Sequence, residues 1–420
     1  MDTWRNRHLL LSFGLFVAVC VLSGRAGADT PNSCLDCHSG LDAPLKVTAE
    51  QFAQDIHSQK GLTCVSCHGG DPTKDDPDAM SKSAGFRTFT RKDIPALCGK
   101  CHSDAAFMRK YNPSLRTDQL SQYQTSVHGK LLAKGDLKVA VCIDCHSVHD
   151  LRPPSDTRST VHPLNVPKTC ARCHADAEYM KGHKIPTDQY AAYTASVHYQ
   201  ALTVRGDLSA PTCVTCHGNH GAAPPGVDTV QNVCATCHVF QAQLFESSAH
   251  KEAFKAASLG GCITCHSNHR IAHPTDELLG TGDKSVCTNC HSSGDPGFKA
   301  AEDMHAQLGK LDSAVKVSKE LLDRAEDSGM EVSEARTAED QARDALTKAR
   351  VTIHGLQVAR LDQDIQAGMK ISAKAQEAGH AALAERDYRR KGLGLSLIAI
   401  FIMVLALGLY IRQIESGKQA

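Results

Sequence analysis

The sequence predicts a mainly α-helical protein with extensive irregular loops, followed by a helical stalk and one C-terminal transmembrane helix. Three observations lead to this fold class. The five-residue motif C-x-x-C-H occurs nine times between Cys34 and His291, among loops rich in proline, glycine and aspartate. Beyond Phe298, alanine, glutamate, lysine, aspartate and leucine predominate as far as Arg390. An uncharged apolar segment then follows near the end of the chain.

The first 28 residues have the features of a secretory signal peptide. Two arginines near the start precede an apolar run over residues 9–22, and Ala-Gly-Ala at residues 26–28 resembles a cleavage site. We therefore expect a signal peptide over residues 1–28 and a mature chain that begins near Asp29. Lipid attachment at Cys20 is the alternative, but the residues before this cysteine match a lipoprotein signal poorly.

The nine motifs use 18 of the 19 cysteines, and the remaining one, Cys20, lies in the expected signal peptide. Two thiols three residues apart lie on one side of a helical turn, and the histidine that follows can point at the same bound group. This is the attachment signature of c-type haem. Zinc sites and disulfides also use C-x-x-C pairs, but neither requires a histidine after every second cysteine. The sequence thus predicts nine covalently attached haem c groups.

Each motif supplies two thioether cysteines and one proximal iron ligand. The mature chain contains no tryptophan, because Trp4 lies in the signal peptide, so porphyrin surface must provide much of the buried area. The predicted haem-attaching cysteines are Cys34, Cys37, Cys64, Cys67, Cys98, Cys101, Cys142, Cys145, Cys170, Cys173, Cys213, Cys216, Cys234, Cys237, Cys262, Cys265, Cys287 and Cys290. The predicted proximal ligands are His38, His68, His102, His146, His174, His217, His238, His266 and His291.

An internal repeat organises the predicted haem domain, residues 29–297. In each of four repeats, a serine or aspartate stands two residues before a histidine, and two haem motifs follow. The motif at Cys34 precedes the first repeat, so we expect one leading haem and four two-haem repeats. Proline, glycine and aspartate between the motifs predict short helices connected by turns, with little strand.

Histidines outside the motifs are candidates for the second axial ligand of each iron. Four recur once per repeat, before its first motif, and three others follow a motif histidine by three residues and are assigned to a neighbouring haem. Two histidines of the stalk would complete nine, with Met304 as the alternative to one of them. The predicted ligands are His57, His128, His198, His250, His149, His220, His269, His305 and His354. We interpret His162, His183, His273 and His380 as ordinary exposed residues.

Residues 298–391 predict a helical stalk. Apolar residues recur at helical spacing, and Ser328 and Gly329 mark the end of the first helix. We expect a second helix over residues 331–351 and a third from about residue 361 into the apolar segment. The charged faces of these helices are interpreted as solvated surface.

The apolar segment over residues 393–411 is long enough to cross the core of a bilayer. A buried core helix is the alternative, but basic residues flank the segment on both sides. We expect a transmembrane helix over residues 392–412 and a short cytoplasmic tail over residues 413–420. The positive-inside rule alone would favour the opposite orientation, yet a signal peptide commits the haem domain to export. The expected location is the periplasmic face of the cytoplasmic membrane, with a single pass and a cytoplasmic C-terminus.

The tandem motifs from Cys34 to His291, with their S-x-H and C-H-x-x-H histidines, resemble the bis-histidine multihaem c-type cytochromes. The C-terminal sequences ARVTIHGLQ and LAERDYRRKGL, followed by an apolar helix, resemble a membrane-anchored subgroup. The first repeat departs from this pattern, because Gly70 and Asp71 stand where a C-H-x-x-H histidine is expected. The resemblance implies low-potential haems that relay electrons in anaerobic or metal-respiring bacteria, often between the quinone pool and periplasmic acceptors.

The expected function is therefore electron relay in anaerobic-type respiration. The apolar helix has no ionisable side chain except Tyr410, so it cannot form a quinone pocket alone, and we expect an integral-membrane quinol-oxidising subunit of the cytochrome b type as partner. Soluble or outer-membrane cytochromes are the expected acceptors. Forty-six basic and 46 acidic residues cancel, which gives no case for a nucleic-acid partner.

A multihaem oxidoreductase of the nitrite or hydroxylamine type is the alternative function. Such an enzyme needs one haem with an open distal face, a lysine in one motif, or a tyrosine cross-link. No C-x-x-C-K motif is present, and there are enough histidines to give every iron two ligands. The sequence therefore favours an electron carrier over an enzyme.

Overall fold

The computed structural model describes residues 32–222 and 230–417, so the expected signal peptide lies outside the described residues. The described residues are mainly helical and contain no strand, which confirms the predicted fold class. By its internal contacts the chain forms two units, residues 1–165 and residues 166–420. The stalk belongs to the second unit, together with the later haem motifs.

The first unit consists of short helices joined by turns. Two 3-10 helices, Pro77–Met80 and Arg91–Asp93, lie among its α-helices. The α-helices are α1 Ser33–His38, α2 Ala49–Ala53, α3 Ile56–Gln59, α4 Cys64–His68, α5 Ile94–His102, α6 Ala105–Met108, α7 Gln119–Thr125, α8 Val127–Ala133 and α9 Cys142–His146.

The second unit continues this pattern and ends in three long helices. Its 3-10 helices are Val230–Thr236, Asp276–Leu278, Cys287–Asn289 and Ile353–Gly355. Its α-helices are α10 Val166–His174, α11 Gln189–Thr194, α12 Val197–Thr203, α13 Cys213–His217, α14 Val239–Glu246, α15 Ala249–Ala256, α16 Gly261–His266, α17 Pro296–Glu326, α18 Ser333–Thr352 and α19 Val358–Gly417.

The chain turns sharply after the first motif of every repeat. The residue that follows the motif histidine has a positive φ in each case: 67° at Gly69, 69° at Ser147, 77° at Gly218 and 65° at Ser267. A Cβ atom on Gly69 would lie 2.2 Å from the carbonyl oxygen of Gly85, so only glycine fits there. These turns end each motif helix after one turn and lead the chain away from its histidine.

The stalk is a three-helix bundle of α17, α18 and α19. Its core has two parts along the bundle axis. Near the haem motifs, Leu308, Leu311 and Leu361 are fully buried, and Leu279 and Cys287 pack against the same cluster. At the other end, Leu322 and Ala325 of α17 lie in a cluster with Leu383 of α19. The predicted second and third helices are therefore present, and the bundle rests directly on the ninth motif.

Polar contacts support the bundle in two places. The buried hydroxyls of Ser318 and Ser372 are 2.7 Å apart, which fixes α17 against α19. Arg350 of α18 donates to Asp276 at 2.8 and 2.9 Å and to Asp312 at 3.3 Å, so it joins α18 to the motif region and to α17.

The last helix, α19, continues well beyond the bundle. Its last contact with the α17–α18 connection is the hydrogen bond from Arg386 to the hydroxyl of Ser328, 3.4 Å. From residue 387 onward all side chains with described exposure are exposed. The apolar part has a mean hydropathy of 2.6 and no buried residue, so its length and composition suit a bilayer span.

The bundle core provides a test of the stalk that does not depend on haem. Replacing Leu311 by alanine should lower the free energy of unfolding by about 2–5 kcal/mol, because a fully buried side chain is lost and a cavity is left. Urea unfolding followed by helical circular dichroism measures the change.

The control for this variant is Val317→Ala on the same helix. Val317 is 45% exposed, so its truncation should change the free energy of unfolding by less than about 0.5 kcal/mol. Equal effects of the two substitutions would contradict the described packing.

Candidate haem-binding sites

Among the residues that the structure describes, the ring contacts include the following six pairs, each made of one motif histidine and one histidine from outside the motifs. The distances between ring centres are 6.0 Å for His57–His102, 6.3 Å for His68–His149, 6.4 Å for His198–His238, 6.0 Å for His217–His269, 5.9 Å for His250–His291 and 6.0 Å for His266–His354. All of these residues are predicted iron ligands.

The separation of the rings suits a shared iron atom. A first-row metal ion lies about 2 Å from the imidazole nitrogen that binds it, and that nitrogen about 1 Å from its ring centre, so two rings on one ion have centres about 6 Å apart. One nitrogen of His250, Nδ1, is buried without a hydrogen-bond partner among the described atoms. Leaving such a nitrogen unpaired is costly, and ligation to iron would relieve the cost. The residues therefore fit haem groups held between paired histidines.

The pairs follow one rule within the repeats. A histidine that precedes a first motif faces the second motif of its own repeat, as His198 faces His238. A C-H-x-x-H histidine faces the first motif of the preceding repeat, as His269 faces His217. After the last repeat no further motif follows, and the stalk residue His354 occupies the corresponding place opposite His266.

The two kinds of pair also differ in ring orientation. Pairs at first motifs have interplanar angles of 15° to 35°, as in His217–His269 and His68–His149. Pairs at second motifs are more inclined, from 37° for His198–His238 to 77° for His57–His102.

A buried capping residue places the histidine that precedes each first motif. In α3, α8, α12 and α15 the histidine is the second helical residue, and the residue two positions before it is the N-cap. Ser196 is fully buried, and its hydroxyl accepts the N–H of Tyr199 at 3.2 Å. This explains why serine or aspartate recurs before these histidines in the sequence.

In the first repeat the N-cap residue is Asp55, a charged residue where the other repeats have serine. Its carboxylate accepts from the backbone N–H groups of His57 and Leu151, at 2.8 and 2.9 Å, and lies 3.2 Å from His57 Nδ1. Burial raises the pKa of Asp55, but the hydrogen bonds from His57 and Leu151 outweigh it and bring the pKa below its usual value. Asp55 thus orients His57 and joins α3 to the segment that follows His149.

Hydrogen bonds at Nδ1 orient several ligands. Carbonyl oxygens accept from His38 (Leu45, 2.8 Å), His68 (Arg87, 3.2 Å) and His354 (Val351, 2.9 Å), while the carboxylate of Asp295 accepts from His291 at 2.9 Å. Each bond leaves Nε2 as the nitrogen with a lone pair for iron.

Burial favours the neutral form of six of these imidazoles. It is the largest influence lowering the pKa of the rings of His149, His198, His217, His250, His266 and His354. A neutral imidazole is the form that binds a metal ion, since the charged ring has no lone pair to donate.

The cysteines show how the motifs follow one another in space. The thiols of first cysteines lie in hydrogen-bonding contact in four places: Cys34 with Cys64, Cys98 with Cys142, Cys170 with Cys213, and Cys234 with Cys262. Second cysteines lie within electrostatic range of the next motif in three: Cys67 with Cys101, Cys216 with Cys237, and Cys265 with Cys287. Within each unit, successive motifs are therefore spatial neighbours.

These thiol contacts are out of phase with the sequence repeat. The repeat groups Cys64 with Cys98, whereas the closest thiol contacts join Cys34 to Cys64 and Cys98 to Cys142. Because the thiols attach at the porphyrin edge, edges of neighbouring haems would meet closely at these contacts. The described cysteines form no disulfide, and no three metal-binding side chains among the described residues converge as a zinc site would require.

Three further predicted distal ligands are His305, His128 and His220. His305 of α17 is exposed and lies against Gly280. His128, on α8, and His220, after α13, remain predicted ligands with the repeat positions described above. The assignments of the haem-attaching cysteines and of the iron ligands likewise remain predictions. The geometry of the described residues is compatible with them.

The interpretation of His162 as an exposed residue is wrong. His162 is buried, and its Nδ1 accepts the backbone N–H of Leu164 at 3.3 Å. This hydrogen bond holds the ring within its own loop. His183 is partly buried, and after burial it is the next influence that lowers the pKa of His174. Neither histidine recurs at a fixed place in the sequence repeat, so the repeat gave no basis for predicting that either residue would be buried.

Comparison with known proteins agrees with this chemistry. The family model for cytochrome c3 matches residues 56–175, which contain the motifs from Cys64 to His174. The chain is 25% identical over 122 residues to the C-type polyheme cytochrome OmcC of Geobacter sulfurreducens, a stretch that covers 27% of this chain and 14% of that protein. No solved structure shows a significant match. Together with the motifs and the imidazole pairs, these similarities support a multihaem c-type cytochrome, a kind of protein that binds haem c covalently.

Proposed function

We propose that the protein relays single electrons along nine covalently bound haems held in the order of their motifs. The observation that carries this proposal is the contact between thiols of successive motifs, which would bring neighbouring porphyrin edges together. Electron transfer falls off steeply with distance, so a row of adjacent haems conducts whereas isolated haems do not.

Ligation by two histidines supports a carrier at most positions. Six motif histidines face a second imidazole at 5.9 to 6.4 Å, which would leave these irons no place for a substrate. The haem supplies the one-electron chemistry, and the protein sets ligand identity, burial and order. Two imidazoles in place of an imidazole and a methionine favour low reduction potentials.

The C-terminal helix would anchor the protein in a membrane. The apolar part of α19 has the length and composition of a single span, and the basic residues before it suit contact with lipid headgroups. With a signal peptide, the proposed anchor would put the haems on the periplasmic face and the C-terminus in the cytoplasm. The proposed role belongs to anaerobic-type respiration.

The stalk constrains the electron donor. Residues 358–392 form one continuous helix between the haem-facing end of the bundle and the apolar segment, a length of about 50 Å. The motifs that contact the stalk, at His266 and Cys287, lie at its far end. A quinol site inside the bilayer would be too distant to reduce them directly.

The proposed partner is therefore a quinol-oxidising membrane subunit of the cytochrome b type that passes electrons through a redox group extending well outside the bilayer. The proposed acceptors are soluble or outer-membrane cytochromes, which could reach haems held away from the membrane surface. At the six paired motif histidines, no observation favours the alternative function of a multihaem oxidoreductase.

The number of haems is the first test. We expect nine haems per mature chain, because nine complete motifs are present. Acid extraction should leave all haem on the protein, and iron analysis with the pyridine haemochrome spectrum gives the count. A value clearly below nine in fully matured protein would contradict the proposal.

The ligand pairs are tested by His198→Ala. Loss of this ring should convert one low-spin haem to high spin, because His238 would then be the sole protein ligand of its iron. Electron paramagnetic resonance of the oxidised protein measures the change. The control His273→Ala removes an exposed histidine that faces no motif histidine and should leave the spectrum unaltered.

The effect of the Asp295 charge on the reduction potential of the haem at His291 is tested by Asp295→Asn. The carboxylate accepts from His291 and increases the donor strength of that ligand, so its loss should raise the potential of one haem on the order of tens of millivolts. Asparagine also caps helices well, so α17 should keep its N-cap.

A spectroelectrochemical titration measures this shift. The matched control is Asp344→Asn, which removes the same charge from the exposed face of α18 and should leave all potentials unchanged. A uniform shift in both variants would show that net charge, and not the contact with His291, sets the potential.

A further inference from the structure

The first motif differs from the six with paired imidazoles. Among the described residues, no second imidazole lies against His38. Its Nδ1 donates to the carbonyl oxygen of Leu45 at 2.8 Å, which orients the ring in the same way as the other proximal ligands. His38 therefore has the geometry of a proximal ligand without a distal partner.

Three other histidines of the same unit, His57, His149 and His162, have contacts of their own. His57 faces His102 and His149 faces His68, each at the distance of a shared iron. His162 is buried and its Nδ1 accepts from the backbone of Leu164, which puts the proton of the neutral ring on Nε2. In that tautomer Nε2 has no lone pair for a metal. These three residues do not complete the coordination of the iron at His38.

The first motif would also hold the terminal haem of the proposed series. Cys34 contacts the thiol of Cys64, and Asn32 lies 3.9 to 4.0 Å from the same sulfur, so this haem would have the second haem as its neighbour. Cys37, on the other thioether position, is exposed, and His38 is only half-buried. A small molecule could reach this iron from solvent without crossing another haem.

We propose that the iron bound by His38 keeps its sixth position for a small exogenous π-acceptor ligand, of which carbon monoxide and nitric oxide are probes. This deepens the proposed relay and rests on it, since the neighbouring haem at Cys64 would exchange electrons with the ligand-binding haem. The site is a terminal haem that combines solvent access with the absence of a distal imidazole among the described residues.

The test is titration of the dithionite-reduced full-length holoprotein with carbon monoxide, followed by visible spectroscopy. The expected result is one carbon monoxide bound per chain and a matching high-spin signal from one iron in the oxidised protein. No binding and no high-spin signal would overturn the inference while leaving the fully ligated relay intact. Binding of several molecules per chain would overturn both the inference and the proposed histidine pairing.

A pair of variants locates the site. C34A/C37A removes the first haem, so the haem count should fall by one and carbon monoxide binding should disappear. C287A/C290A removes the last haem, so the count should fall by one while one carbon monoxide still binds. Retention of binding in the first variant would overturn the inference. If either variant fails to mature, the stoichiometry and spin state of the unaltered protein still decide it.

Discussion

Pairs of imidazoles that would share one iron are the interaction on which the motif-rich part of the structure depends. Each pair joins segments distant in the sequence, such as the helix that begins at Val197 and the turn that contains Cys234. The apolar clusters in this part are small: Leu132, Val139 and Val141 form one, and Ala201, Leu202 and Ala210 form another. Side chains alone provide little core there, so porphyrins and iron bonds must hold the repeats together.

The pairing rule makes the repeats interdependent. His68 and His217, at first motifs, each face a histidine of the next repeat, so these two sites would be completed from outside their own repeat. The final repeat has no successor, and the stalk supplies His354 in its place. The loop that carries His354 connects α18 to α19, so the stalk would close the series of haem sites and also leads to the apolar segment. Leu279 and Cys287, packed into the bundle core, strengthen the same junction.

The stalk is stabilised in a different way from the haem region. Its helices pack through buried leucines and through two close glycine contacts, at Gly368 and Gly379 of α19. This bundle needs no cofactor to bury its apolar faces, whereas the haem region does. The consequence for function is distance: a helix of about 50 Å separates the ninth motif from the apolar segment. The proposed relay therefore works away from the bilayer surface, and donors and acceptors would meet it there.

The sequence by itself determined the chemistry of the cofactor, because two cysteines and a histidine at fixed local spacing suffice to attach one haem. It also determined the helical stalk and the apolar span, since both are periodic or uniform over many residues. Only the tertiary structure decided which histidines face each other, which thiols meet, and that His162 is buried while His305 lies exposed. The physical reason is that ligand pairs and thiol contacts join residues far apart in the chain, and local spacing carries no record of where the chain folds back.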